Sequence, residues 1–308
     1  MPLVSIVLPT YNRAHLLKRS IETCLSQTLR DLELIVVNDC STDNTKAIVE
    51  AFAAKDPRVR LITNEKNLRL PASLNKGFDN AKGKYFTWTS DDNLYAPNAL
   101  EVLSQTLEAN PGADLVYANY NEIDENDKIT GQGIMNDINK SFMLWKGCGS
   151  CFMYKAIIHQ TSKGYDPTLF LIEDYDFFLR ASLQYKFIYL TRCDLYSHRN
   201  HPGSLTSLQG HAVFELQKII VERKQHLLLP HFSAYDKILF YRKYAVYYAV
   251  LKNNVVRMNF YMAELWKASK KDYVITFLFI GVQKIISFFK VSFGLITGFM
   301  QIVFGSGK

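Results

Sequence analysis

The 308-residue sequence predicts an α/β fold, a mostly parallel sheet with helices on its faces, followed by a helical C-terminal extension. Three observations carry this. Short apolar runs of strand length alternate with amphipathic segments of helix length from residue 3 to about 120. The segments between runs are long enough for helical crossovers, which join parallel strands and are right-handed. From residue 208 to about 270 the strand-like runs stop, and a helical pattern rich in Tyr and Lys takes over.

Val4–Leu8 reads as the first strand, and Ala14–Gln27 as a helix with Leu16, Leu17, Ile21 and Leu25 on one side. Leu32–Val37 is the second apolar run, followed by a helix from about Asp43 to Ala54 capped by Thr42 or Asp43. Val59–Thr63 is the third strand, Pro71–Ala81 the third helix and Tyr85–Thr89 the fourth strand, after which a helix opens at Pro97. Leu115–Asn119 supplies another strand. Residues 121–170 are mixed, with loops at Asp124–Lys128 and Gly131–Asn136 and a strand-like Cys151–Tyr154. Ile172–Arg180 reads as an apolar entry into an amphipathic helix. Its first turn carries Glu173, Asp174 and Asp176, where acids complement the helix dipole. The expected divisions are 1–207 for the α/β domain, 208–272 for the helical extension and 273–308 for a terminal apolar helix.

Charge is unevenly spread. Residues 1–208 hold 22 Lys and Arg against 24 Asp and Glu, whereas residues 209–308 hold 14 against 5. A basic tail points to an anionic membrane surface or to nucleic acid. Five scattered cysteines fit reduced thiols in a cytoplasmic protein, and Cys148-Gly-Ser-Cys151 lacks the second ligand pair of a zinc site. The chain starts on a strand, with no basic segment and apolar core of a secretory signal, so a cytoplasmic location is expected.

In parallel sheets, ligands bind outside the carboxyl ends of the strands. The turns after strands one, two and four are Pro9-Thr10-Tyr11-Asn12-Arg13, Asn38-Asp39-Cys40-Ser41-Thr42-Asp43 and Ser90-Asp91-Asp92-Asn93. All three land on that edge. Asp91 and Asp92 end the apolar run Tyr85–Trp88, so two adjacent carboxylates meet there. A hard divalent cation between them and a ligand relieves their repulsion. The competing reading is that they open a turn and cap the helix at Pro97.

These motifs, with Asn75-Lys76-Gly77, Ala81-Lys82-Gly83 and Glu173-Asp174-Tyr175-Asp176, resemble the family-2 glycosyltransferases of the GT-A fold over about residues 3–207. The resemblance implies a Rossmann-like nucleotide-diphospho-sugar transferase domain, donor half first and acceptor half second. It implies that Asp39 contacts the base of a nucleotide-sugar donor, the best match being a UDP-sugar. Pro9, Thr10, Tyr11 and Arg13 line base and ribose, and Asp91 holds ribose or donor sugar. Asp92 coordinates Mn²⁺ or Mg²⁺ on the diphosphate, His201 closes over the metal, and Asp174 is the acceptor-side base. Arg69 matches a basic position facing the phosphates, against a plain solvated loop charge. The commonest family pattern is Asp-Ser-Asp-Asp, and Thr89 stands at its first position here.

The implied reaction is an inverting transfer to a hydroxyl of a glycan or lipid-linked glycan in bacterial cell-surface polysaccharide synthesis. A cation on Asp92 offsets charge on the leaving diphosphate, and Asp174 takes the proton from the attacking hydroxyl. Glu173 is the rival base. Asp176 reads more simply as a first-turn acid, His198 and His201 share a loop, and Trp145 stacks on a sugar or packs in the core. A sugar-nucleotide-forming nucleotidyltransferase needs a Gly-rich loop after the first strand, and Pro9–Arg13 has none. A polyprenyl-phosphate sugar synthase and a non-catalytic binding subunit are the remaining alternatives.

The tail is expected to lie in the plane of an anionic membrane. Residues 273–304 are mostly apolar, yet Gln283, Ser287, Lys290, Gly294, Thr297 and Gln301 recur at helical steps, and Lys267, Lys270, Lys271, Lys284 and Lys290 add positive charge. Gln283, Lys284 and Lys290 interrupt any spanning run. The competing reading is docking on the catalytic domain or homo-oligomer formation through the C-terminal helices. Nucleic acid is not an expected partner, because its basic patches are rarely so rich in Leu, Ile and Phe.

Overall fold

Residues 4–10 are buried without exception and form strand β1 (Val4–Thr10), an interior strand of the main sheet. The computed structural model describes residues 1–284, apart from the side chains of 205–208 and 211. Helix α1 (Ala14–Leu25) buries Leu17, Ser20, Ile21 and Cys24. Strand β2 (Leu32–Asn38) pairs parallel with β1, and beyond α2 (Thr45–Ala53) β3 (Val59–Thr63) pairs parallel with β2. The helix expected from Asp43 begins at Thr45. The Asp43 carboxylate accepts the Thr45 N–H at 3.0 Å and reaches across to the Ala14 N–H at 3.1 Å.

Helix α3 (Arg69–Asp79) returns the chain to β4 (Tyr85–Trp88), which pairs parallel with β1 on its other side. Gly77 lets α3 lie close on the sheet: a Cβ there would stand 2.4 Å from Val7 Cγ1. The chain does not turn directly from Asp92 into a helix at Pro97. It passes through the two-residue strand β5 (Leu94–Tyr95), and α4 (Ala99–Ala109) starts beyond Asn98, which makes no side-chain cap bond.

Strand β6 (Leu115–Ala118) leads into a hairpin of β7 (Tyr120–Ile123) and β8 (Ile129–Gly133), so part of the loop expected at Gly131–Asn136 is strand. Then follow β9 (Cys151–Lys155), α5 (Ala156–Thr161), α6 (Glu173–Ser182), β10 (Phe187–Leu190), β11 (Tyr196–Arg199), α7 (Leu205–Arg223) and α8 (Gln225–Leu228). The main sheet has the order β10-β6-β9-β4-β1-β2-β3, with β9 antiparallel to both its neighbours. A smaller sheet has the order β5-β11-β7-β8. His198 therefore lies on a strand, not in a loop.

The chain divides into two compact units. The first comprises residues 1–140 and 144–228. The second joins residues 141–143 to the chain from Leu229 onward, through a 3₁₀ turn (Leu229–His231), α9 (Ala234–Val246), a π-helical turn (Tyr247–Leu251) and α10 (Val255–Ala268). In this second unit Phe240, Tyr244, Tyr261 and Leu265 are buried, and Asp236 accepts hydrogen bonds from Ser141 and the Met143 N–H. Backbone from 270 to 284 is helical, and most of the polar stripe expected in the tail lies outside the described residues. Among the described residues no helix is long and apolar enough to cross a membrane.

Candidate active site

Because β1, β2 and β4 are parallel neighbours, the loops leaving their carboxyl ends share one edge of the sheet. The first two loops bind each other. The Asn12 N–H donates to Ser41 Oγ at 3.0 Å, and the Thr42 N–H donates to Asn12 Oδ1 at 2.8 Å. Asp39 is buried, and one carboxylate oxygen accepts from Asn64 Nδ2 and from the Leu68 N–H, both at 2.8 Å. That fixes its orientation without using the other oxygen.

These loops open into a cavity of about 650 Å³. Of the ten residues expected to handle donor, metal or proton, Pro9, Thr10, Tyr11, Arg13, Asp39, Arg69, Asp91, Asp92 and Asp174 line it. His201 does not, but its Nε2 lies 3.1 Å from Asp92 Oδ2. Arg13 donates to the Gly203 carbonyl at 2.7 Å, tying the segment after His201 to the first loop.

Thr89 is fully buried, and its hydroxyl meets the Tyr196 hydroxyl at 2.7 Å. A carboxylate at this position would be buried against a phenol, which gives the departure from Asp-Ser-Asp-Asp a physical reason. Asp91 is 8% exposed, and burial, then the charge of Asp92, push its carboxyl up to about 7, with the Thr10 hydroxyl and Arg13 pulling the other way. Among the described residues no three ligating side chains converge on one point. Asp92 and His201 supply two donors, one hard oxygen and one imidazole. That set suits a divalent ion whose remaining ligands come from a bound diphosphate rather than an all-protein cage.

The opposite wall is built by the N-terminus of α6. Leu171, at φ 82, turns the chain so that Glu173 and Asp174 face the cavity. Glu173 is buried and its Oε2 has no hydrogen-bond partner; burial and the charge of Asp174 drive its carboxyl well above the ordinary range. The half-buried Asp174 accepts its neighbour Tyr175's N–H at 2.6 Å, and burial raises its carboxyl too. Asp176 is different. It is fully buried and pairs with Arg180 at 2.7 Å and Lys224 at 3.2 Å, so it holds α6 in place and does not face the cavity.

Arg69 sits at φ 66, is exposed, and places its guanidinium over the Phe170 ring, 5.5 Å from the centroid, in the loop before α6. Trp145 is buried and stacks on the Tyr175 ring at 5.9 Å, a core role. Cys148 and Cys151 are buried free thiols. The segment Trp145–Ser150, expected from the sequence to border the acceptor pocket, reaches the cavity through Gly149 and Ser150, whereas Tyr120, His198 and Phe170 line it without having been expected there. Ser150 Oγ lies 3.2 Å from His198 Nδ1, and burial lowers the His198 pKa against the opposing charges of Asp92 and Glu122. Gly149 permits this wall: it adopts φ 65, and a Cβ would stand 2.8 Å from Met135 Sδ.

Residues 5–173, more than half of the chain, match the family model described as glycosyl transferase family 2. The chain belongs to that family. Asp174 and His201 lie beyond the matched segment. An uncharacterized glycosyltransferase of Rickettsia bellii is 33% identical over 214 residues, 65% of this chain and 30% of that protein. One of Methanocaldococcus jannaschii is 36% identical over 196 residues, 60% of this chain and 67% of the relative. The GalNAc(5)-diNAcBac-PP-undecaprenol beta-1,3-glucosyltransferase of Campylobacter jejuni is 33% identical over 159 residues, 49% of this chain and 51% of that enzyme. The chain thus spans only about half or less of the length of several curated relatives. Among solved structures, S. aureus TarS 1-349 in complex with UDP-GlcNAc superposes with a TM-score of 0.63 at 16% identity, covering 87% of this chain and 81% of that one. The UDP complex gives 0.61 at 18% identity, covering 82% and 74%. The fold is therefore the GT-A glycosyltransferase fold.

Proposed function

We propose that this family-2 protein is an inverting glycosyltransferase that moves a sugar from a nucleotide-diphosphate donor to a hydroxyl of a glycan or lipid-linked glycan. One observation carries the reading: a single cavity is lined by Asp39, the Asp91–Asp92 pair and Asp174, acid groups from two separate loops and the N-terminus of α6. Asp39 offers its free carboxylate oxygen to a base N–H, which favours uridine. Thr10, Tyr11 and Arg13 bracket base and ribose, and Arg69 faces the phosphates with a bidentate donor. Asp92 and His201 are the residues that would hold Mn²⁺ or Mg²⁺. When bound, such an ion offsets charge on the departing diphosphate.

Asp174 accepts the proton as the acceptor hydroxyl attacks the anomeric carbon. With one base and in-line displacement, the anomeric configuration inverts. Burial and the charge of Asp174 push the Glu173 carboxyl up, which favours its protonated form as a hydrogen-bond donor to the acceptor over a role as the base.

The acceptor is proposed to be presented at the cytoplasmic face of a membrane. Trp266, Phe277 and Leu278 are exposed in the second unit, and Lys267, Lys270 and Lys271 lie beside them in sequence. This combination suits an anionic lipid surface. Assembly through the same helices into a homo-oligomer is the competing use of that surface.

The test is a panel of UDP-sugars, beginning with UDP-GlcNAc, incubated with pure protein and Mn²⁺ while UDP release is followed. We expect metal-dependent release from one donor and none in the Asp92→Ala variant. Absence of UDP binding by calorimetry, with and without Mn²⁺, would overturn the donor reading.

A further inference from the structure

The geometry points to Arg199 and Asp127 as positioning residues that fix the Asp91–Asp92 loop from outside the cavity. The inference rests on the reading of Asp92 as the group facing metal and diphosphate. Neither residue lines the cavity. Arg199 is 3% exposed, deep burial for a group that never loses its charge. Such a cation is tolerated only where its donors are paired.

Here they are paired in a particular way. Nε donates to the Asp92 main-chain carbonyl at 2.9 Å, and Nη1 donates to the Asp124 carbonyl at 2.6 Å. Nη2 pairs with the Asp127 carboxylate. The Arg199 N–H donates to Asn93 Oδ1 at 2.8 Å. One residue of β11 thus grips the acid loop at two consecutive positions and the β7–β8 turn at two more.

The circuit closes through α1. Arg19 on α1 pairs with the same Asp127 carboxylate. Ser20, its fully buried neighbour, places its hydroxyl 2.8 Å from the Ser90 carbonyl and 2.9 Å from the Asn93 carbonyl. The acid loop is therefore held by Ser20 on one element and Arg199 on another, and Asp127 links the two. The turn that presents Asp127 is set locally. Asp124 Oδ1 accepts the Asn126 and Lys128 N–H groups at 2.9 and 3.0 Å, and Asp127 itself adopts φ 63.

A single carboxylate more than thirty residues along the chain from the acid loop thereby controls where the Asp92 backbone sits. Charge at Asp127, not its size, is what the circuit requires. Asn tolerates the left-handed conformation, so Asp127→Asn keeps the turn and removes the charge.

The experiment compares hydrogen exchange of ligand-free full-length parent, Asp127→Asn and Arg199→Lys, followed by the Mn²⁺ concentration giving half-maximal UDP binding. Expected are roughly tenfold faster exchange confined to peptides covering 89–95, with β1 and β2 peptides unchanged, and about a tenfold higher Mn²⁺ requirement. UDP affinity in EDTA should not move. Uniform loss of protection across the sheet would make these residues merely structural, and unchanged exchange at 89–95 would remove the brace; either result overturns the inference. If the parent's UDP binding ignores Mn²⁺, the metal reading of the site fails, while the exchange data still decide the brace.

Discussion

Glu173→Gln should make the protein more stable and leave most of its transfer activity, an uncommon pairing for a buried acid beside a catalytic one. Glu173 is 4% exposed, with one carboxylate oxygen unpartnered. Its carboxyl rises from the ordinary 4.5 to about 8. At pH 7 the folded protein therefore holds a proton that the unfolded chain releases. The gap between 4.5 and 7 corresponds to ~3 kcal/mol of lost stability. For an acid whose folded pKa is raised, the loss grows as pH climbs above the unfolded value and levels off above the folded one. Gln is neutral in both states and close to the protonated side chain in shape. The variant should gain up to ~3 kcal/mol at pH 7, or about 6–12 °C in Tm for a unit of this size, and less than ~1 kcal/mol at pH 5. Urea unfolding at pH 5, 6, 7 and 8 measures this directly. A gain that does not change with pH, or a loss at pH 7, refutes the burial argument. In the same samples Asp174→Asn should retain UDP affinity and lose transfer by about 10²–10⁴-fold, because only the proton acceptor is removed. If Glu173→Gln is the dead enzyme and Asp174→Asn is active, the two roles are exchanged.

Other expectations follow from the same geometry. Asp92→Ala should abolish the Mn²⁺ enhancement of UDP affinity seen by calorimetry, and unchanged UDP–Mn²⁺ binding would sink its assignment. Thr89→Asp, which restores the commoner family pattern, should cost about 1–3 kcal/mol because it buries a carboxylate against the Tyr196 hydroxyl; the deficit should shrink between pH 7.5 and pH 5 as that acid protonates. Deleting residues 273–308 should leave UDP binding intact and stop flotation with phosphatidylglycerol liposomes. A full-length protein that ignores liposomes and forms one defined oligomer without detergent would make the tail an assembly element.

The main sheet was legible because its inner strands β1 and β2 are buried on both faces, so they appear in one dimension as apolar runs broken near their start only by Ser5 and Glu33. The smaller sheet was not. Its strands are two to five residues long, and β11 reads Tyr-Ser-His-Arg, a polar string whose partners lie on β5 and β7. The acid loops could be found because each ends a readable strand, and His201 only through the resemblance. Nothing in the sequence singled out Arg199, because its hydrogen-bond partners Asp92, Asp124 and Asp127 are 72 to 107 positions away along the chain. Thr89 was a departure without a cause until Tyr196 stood opposite it.

Backbone strain gathers around the cavity independently of any comparison. Non-glycine residues with positive φ include Asn12, Cys40, Arg69 and Leu171. Arg69 and Leu171 line the cavity, and Asn12 and Cys40 each adjoin a residue that does. Left-handed conformations at Arg, Leu and Cys cost of order 1–3 kcal/mol each and persist only where the surroundings over-determine them. Glu173 adds a buried acid held against its charge. The strands beneath are mostly apolar and buried throughout at β1 and β2, and their packing offsets what the loops give up. Substitutions that relax the loops should therefore stabilise the protein while loosening the alignment of Asp39, Asp92 and Asp174, whereas substitutions within the strands should only destabilise it. Stability and activity diverge around this cavity because the chain holds its acids where folding alone would not place them.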